Sequence, residues 1–222
     1  MNPTLTIDVL SDVVCPWCLI GKRRLERALQ ELARQLPGLP APEVRWHPFQ
    51  LNPDLPPEGM DRAAYVQQKF GARAGTVYDR VKGVGQELGI PFAFHSIARQ
   101  PNTTAAHSLI AMATPGAQQQ ALVEALFTAY FMEGVDLTQR AELTRVAVAS
   151  GLAPEDVSAC LDSKDARQQV RNADVRARQM GVQGVPFFIF NGRVGLSGAQ
   201  EPEVILQAIA QACEPPSTTP AS

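Results

Sequence analysis

The chain opens on an apolar run rich in β-branched residues, and residues 4–10 are predicted to form a buried strand. From residue 18 to 36 the apolar positions Leu19, Ile20, Leu25, Ala28, Leu29, Leu32 and Leu36 fall on one helical stripe. Pro37-Gly38-Leu39-Pro40 stops that helix. Alternation then returns, with Val44, Trp46 and Pro48 set against Arg45, His47 and Phe49, which predicts a second strand. Strand, helix and strand over this length form a βαβ unit, so the two strands run parallel with a right-handed crossover.

From about residue 61 to 181 almost no strand signal is present. The periodicity predicts helices near 61–70, 74–88, 103–114, 117–132, 139–150, 154–161 and 165–180. Gly89-Ile90-Pro91, Thr114-Pro115-Gly116, Gly151 and Pro154 break them, and Thr138 and Ala153 stand near helix starts. Strand signal resumes at Val185–Phe190, Asn191-Gly192 is a favoured hairpin turn, and Arg193–Leu196 answers as the paired strand. A last helix is predicted from about Glu201 to Ala212, and residues 214–222, rich in Pro, Ser and Thr, read as a disordered tail. The fold class is therefore α/β. Residues 1–58 and 182–213 complete one sheet, and residues 59–181 form an all-helical insertion that closes over one edge of it.

The length of 222 residues and a hydrophobic fraction of 45% allow a core of good size. A net charge of -2, with few aromatics and no basic cluster, gives no reason to expect a nucleic-acid or anionic-membrane partner. No run of 18 apolar residues occurs, so no membrane span is expected. Met1-Asn2-Pro3 leads straight into a strand carrying Asp8, with no targeting segment in sight, and the expected compartment is the cytoplasm. In a reducing compartment, two close cysteines point to catalysis or metal binding rather than to a structural staple.

That pair is Cys15 and Cys18, in Cys15-Pro16-Trp17-Cys18, between the end of the first strand and the start of the first helix. Free N–H groups and the helix dipole favour a thiolate there. Cys15, at the exposed start, is the expected attacking thiolate, and Cys18, one turn inward, the resolving thiol. Pro16 suits a first helical turn, and Trp17 offers a platform for a partner. A structural zinc needs four ligands, but Cys160 and Cys213 are lone and His47, His95 and His107 are scattered, so no metal is expected. Pro186, at a strand start in Gly184-Val185-Pro186-Phe187, is expected to follow a cis peptide bond. Asp12 reads first as a cap for the turn and second as a carboxylate near the thiols. His107 either reaches the site from the insertion or serves the core. Cys160 and Cys213 read as buried thiols, and Lys22, Arg23 and Arg24 as a solvated helix face.

Together, the strand, the Cys pair, the helix, the long helical insert, Gly184-Val185-Pro186 and the closing hairpin resemble the DsbA-like branch of the thioredoxin superfamily. Ser11-Asp12-Val13-Val14-Cys15-Pro16-Trp17-Cys18, Phe49-Gln50-Leu51-Asn52-Pro53 and Asn102-Thr103-Thr104-Ala105-Ala106-His107 are similar to the FrnE-type subgroup. The resemblance implies a thioredoxin-like fold with an inserted helical domain and a thiol–disulfide oxidoreductase, often cytoplasmic. Its partners would be polypeptides or small molecules carrying thiols or disulfides. It implies that Pro186 lies beside the thiols, where Val185 can offer its backbone to an extended substrate. The same branch includes kappa-class glutathione transferases and 2-hydroxychromene-2-carboxylate isomerases, which resemble this chain in Asn52-Pro53. They imply an alternative, a glutathione-dependent isomerase or transferase with Asn52, Pro53 and His107 in a substrate or glutathione pocket. Those enzymes typically carry serine where this chain has Cys15, so keeping both thiols favours disulfide chemistry. No tightly held cofactor is implied, and glutathione enters as a co-substrate. Some FrnE-type proteins carry a second Cys pair near the C-terminus; Cys213 is alone here, so no second redox centre is expected.

Overall fold

A computed structural model describes residues 4–215. Residues 216–222 of the predicted tail lie outside them. Four strands, β1 (Thr6–Ser11), β2 (Glu43–Pro48), β5 (Phe187–Phe190) and β6 (Val194–Ser197), form one sheet in the order β2-β1-β5-β6. β1 and β2 are parallel, with Val9 opposite Trp46, and β5 runs antiparallel to β1, with Phe188 opposite Val9. The two ends of the chain therefore build one sheet, and a strand from residue 187 onward lies beside the strand that leads into the cysteines.

Helix α1 (Pro16–Gln35) starts two residues before the predicted start at residue 18. Pro16 takes the first helical position, where a missing N–H costs nothing, so Cys15 becomes the N-cap and Cys18 falls inside the first turn. Seven helices separate β2 from β5: α2 (Arg62–Phe70), α3 (Ala74–Glu87), α4 (Thr104–Met112), α5 (Ala117–Phe131), α6 (Arg140–Ala149), α7 (Pro154–Asp162) and α8 (Lys164–Gln179). They match the predicted spans closely. Between them, β3 (Met60–Asp61) and β4 (Arg99–Gln100) form a two-stranded antiparallel ribbon that the sequence did not announce. Two-residue strands are too short to carry a periodic signal. Helix α9 (Pro202–Cys213) closes the chain. Among the described residues no helix is long and apolar enough to cross a membrane.

Alternation along β1 sends Ile7 and Val9 into the main core and Leu10 into a smaller one. The main core joins α1, α9, Phe188 and Phe190 to α4–α7 without a break, so the sheet and the helical layer are buried against each other. The smaller core, Leu10, Phe49, Ala177 and Val182, seats α8 on the other face. Strand β2 is an edge, and the helical layer covers it: Gln119 of α5 accepts from the Trp46 N–H at 2.8 Å.

Lys22 departs from the expected solvated face. It is 4% exposed, with Glu124 of α5 at 2.6 Å and Glu26 as a second carboxylate partner. Arg23 also donates to Glu124, at 2.8 Å from one nitrogen. Arg24 bonds the Ala199 carbonyl and pairs with Glu201. All three therefore clamp α1 to its surroundings. Burial alone would raise the Glu124 carboxyl, but hydrogen bonds from Arg23 and Lys22 outweigh it and hold the group at about 2. The contribution to stability is present above the ordinary carboxylate range near 4.5 and is lost as pH falls toward 2. Urea unfolding at pH 7 and pH 3 checks this: Glu124→Gln is expected to lose less stability between the two than the wild type.

Candidate active site

The site begins with the turn Ser11–Cys15. The Cys15 N–H donates to the Asp12 carbonyl at 3.0 Å and the Cys18 N–H to the Cys15 carbonyl at 3.0 Å, so one tight turn carries the chain from strand to helix. Cys15 and Cys18 are free thiols, and both are buried, 5% and 1% exposed; Cys15 is not at an exposed start as expected, because its sulfur is turned against the Val185–Pro186 segment. The Cys15 thiol faces the Val185 carbonyl at 3.6 Å. The Val185–Pro186 peptide bond is cis, and Pro186 is buried against α1. Burial pushes the Cys18 thiol well above its ordinary range, and the adjacent Cys15 sulfur pushes it further, against hydrogen bonds from the Asp12 backbone and the Ser11 side chain. Cys18 is thus held as a thiol behind Cys15. Pro16 and Trp17 are half-buried on the first turn of α1.

Gly21 is a residue that sequence reasoning passed over. A Cβ there would stand 2.9 Å from Pro186 Cγ and 3.2 Å from the Phe188 ring, so glycine sets how closely α1 approaches the Val185–Pro186 segment. The signal was a lone glycine inside a helical pattern. Gly21→Ala gains about 1 kcal/mol of helix propensity but overpacks this contact at about 1–3 kcal/mol. The expected outcome is a net loss of about 1 kcal/mol in urea unfolding and a several-fold slower disulfide exchange, as the Val185 carbonyl moves from Cys15.

Asp12 does not cap α1 with its side chain; the helix has no side-chain cap. Its carboxylate turns inward and accepts from the Leu51 N–H at 2.7 Å. The other carboxylate oxygen stands 3.3 Å from His107 Nε2. His107 is 2% exposed, and both ring nitrogens lack a hydrogen bond among the described residues. Its ring is buried beneath the turn and packs against Asp12 rather than standing at the surface. The Gln50 N–H donates to the Asp174 carboxylate at 2.7 Å, and its side-chain amide donates to the Thr104 hydroxyl at 2.9 Å. Asn102 donates to the Leu55 carbonyl. The three segments singled out in the sequence, at 11–18, 49–53 and 102–107, thus meet behind the thiols. Asn52 has a buried amide nitrogen without a partner among the described residues, and Pro53 is exposed.

Cys160 is half-buried against the core, and burial raises its thiol. Cys213 is exposed, not buried as expected, because it ends α9 next to the Asn191 turn. His47 pairs with Asp8 at 2.7 Å on the surface. Among the described residues no three His, Cys, Asp or Glu side chains gather as a metal-binding set. A pair of adjacent thiols, one at a helix N-terminus and one buried behind it, can form and break a disulfide by exchange.

Comparison with known proteins agrees with this arrangement. A probable DsbA oxidoreductase from Streptomyces coelicolor has a similar structure, with a TM-score of 0.82, 28% identity, and coverage of 98% of this chain and 93% of its own. An uncharacterised protein of Bacillus subtilis, YwbO, is 26% identical over 207 residues, 93% of this chain and 96% of the relative. A 2-hydroxychromene-2-carboxylate isomerase shares the fold at a TM-score of 0.69 and 18% identity, covering 94% of this chain and 96% of its own. The profile of the DSBA-like thioredoxin domain matches residues 6–210, nearly the whole chain. With its sheet, its helical layer and its paired thiols accounted for, the chain belongs to the DSBA-like thioredoxin domain family.

Proposed function

We propose that the protein is a thiol–disulfide oxidoreductase whose reacting pair is Cys15 and Cys18. The observation that carries this reading is the Cys15 sulfur at the N-cap of α1, 3.6 Å from the Val185 carbonyl, with a protonated Cys18 one turn behind. In the reducing direction, the Cys15 thiolate attacks a substrate disulfide. One substrate sulfur leaves as thiolate, and Cys15 is joined to the other. Cys18 loses its proton and attacks Cys15, closing the Cys15–Cys18 disulfide and releasing the second substrate thiolate. Two electrons pass from the dithiol to the substrate. The reverse sequence oxidises a substrate dithiol.

The segment ahead of β5 supports a polypeptide or peptide-like substrate. Val185 is half-buried, and its carbonyl lies at the sulfur, so an extended chain laid against it would bring its own disulfide to Cys15. Pro16 and Trp17 would flank that chain. Glutathione is assigned the role of co-substrate that reloads the pair. The test is reduction of insulin disulfides with dithiothreitol as the electron source. The protein is expected to shorten the lag before the insulin B chain precipitates. An unchanged lag at micromolar protein would overturn the reading.

A further inference from the structure

Helix α3 sets a charge against Trp17, two residues after Cys15. The Arg80 guanidinium lies 5.7 Å from the centre of the Trp17 ring, the residue directly between Pro16 and Cys18. Further along, Arg27 of α1 donates to the Glu87 carbonyl at 3.3 Å. The two contacts show α3 running alongside α1 in the same direction. Because α3 begins at Ala74, about 9 Å of helix at 1.5 Å per residue precedes Arg80 and extends past Trp17 toward the Cys15 end of α1. Arg80 is exposed, and among the described residues it has no carboxylate within 4.0 Å and no hydrogen bond. Lys22, the cation next along α1, is already neutralised by Glu26 and Glu124. Asp12, the acid nearest the pair in sequence, is buried. The ring of Trp17 holds the guanidinium in place without cancelling its charge.

We propose that Arg80 is a specificity-determining residue that selects disulfides carrying carboxylates close to the sulfurs over those carrying amines. This rests on the oxidoreductase reading above. Arg80 touches none of the reacting bonds. It attracts an anionic disulfide to the Trp17 side of Cys15 and repels a cationic one, and the exchange that follows is the two-electron transfer already described.

The experiment compares two small disulfides of opposite charge, oxidised glutathione and cystamine, as oxidants of the reduced protein, followed by loss of free Cys15 and Cys18 thiol. The wild type is expected to prefer oxidised glutathione. Arg80→Glu is expected to lower the ratio of the two rates by about 10-fold, and Arg80→Met by about 3-fold. Arg80→Lys, which keeps the charge but not the flat guanidinium, is expected to retain most of the ratio. In 0.5 M NaCl the wild-type ratio is expected to shrink toward that of Arg80→Met. A merely structural role for Arg80 would change both rates together and leave the ratio alone. A ratio unchanged in Arg80→Glu, with both disulfides still reacting, would overturn the proposal and leave the oxidoreductase reading standing. A wild type that reacts with neither disulfide would overturn the oxidoreductase reading, and the proposal with it.

Discussion

Cys15→Ser is expected to abolish catalysed disulfide exchange, lowering the rate by about 10³-fold or more, the scale on which loss of a nucleophile acts. Serine is close in size and keeps a hydrogen-bond donor for the Val185 carbonyl, so the fold is expected to survive with little change in urea midpoint. Cys18→Ala is expected to behave differently. Cys15 keeps its place at the helix N-cap and still attacks, but nothing behind it resolves the product. A covalent adduct between Cys15 and a substrate thiol is expected to accumulate, visible as a mass increase of one substrate half and reversed by dithiothreitol. The asymmetry follows from position: Cys18 is 1% exposed and held as a thiol by burial and by its neighbour. Adducts on Cys18 in the Cys15→Ser protein, at a rate like that on Cys15, would contradict the assignment of roles.

Asp12→Ala is the substitution expected to cost most away from the sulfurs. The carboxylate is fully buried, accepts the Leu51 N–H and faces His107. Removing it leaves the Leu51 donor unsatisfied, takes the nearest acid from His107 and opens a small void, together about 2–4 kcal/mol. Urea unfolding at pH 7 is the measurement. Asp12→Asn keeps the volume and an acceptor for Leu51, and is expected to cost less than half as much. Equal losses in the two variants would show that the hydrogen bond to Leu51 is not what matters. Exchange by the folded Asp12→Ala protein is also expected to slow several-fold. The Asp12 carbonyl fixes the Cys15 N–H, and its carboxylate fixes the adjoining loop.

Much of the frame was legible because local pattern and tertiary role agree in it. The switch from alternation to helical period after residue 59, and back at residue 185, marks the strands, and the Asn191-Gly192 turn marks the hairpin. The Cys15–Cys18 spacing stands out because two thiols in one helical turn have few uses. What escaped depends on partners far away in the chain. Lys22 sits in a basic run and looks solvated; Glu124, about a hundred residues on, joins Glu26 in making its burial tolerable. Asp12 occupies a plausible capping position, but Cys15 is the N-cap and Leu51 claims the carboxylate. His107 and Asn102 belong to a segment whose meeting with Gln50 and Asp12 no local signal describes. Gly21 was visible as an oddity, a glycine in mid-helix, but its reason lies in Pro186 and Phe188. Arg80 carries no sequence signal at all, since a charged residue on an amphipathic helix is ordinarily a solvated one.

The most direct test of the central claim is a redox titration of the wild type against mixtures of reduced and oxidised glutathione, quenched in acid, alkylated and read by mass spectrometry on the peptide holding both cysteines. The account predicts that Cys15 and Cys18 lose their thiols together, in one reversible two-electron transition, while Cys160 and Cys213 take no part in it. Thiols at Cys15 and Cys18 that remain free across the whole range of glutathione ratios, or that oxidise independently of each other, would contradict it.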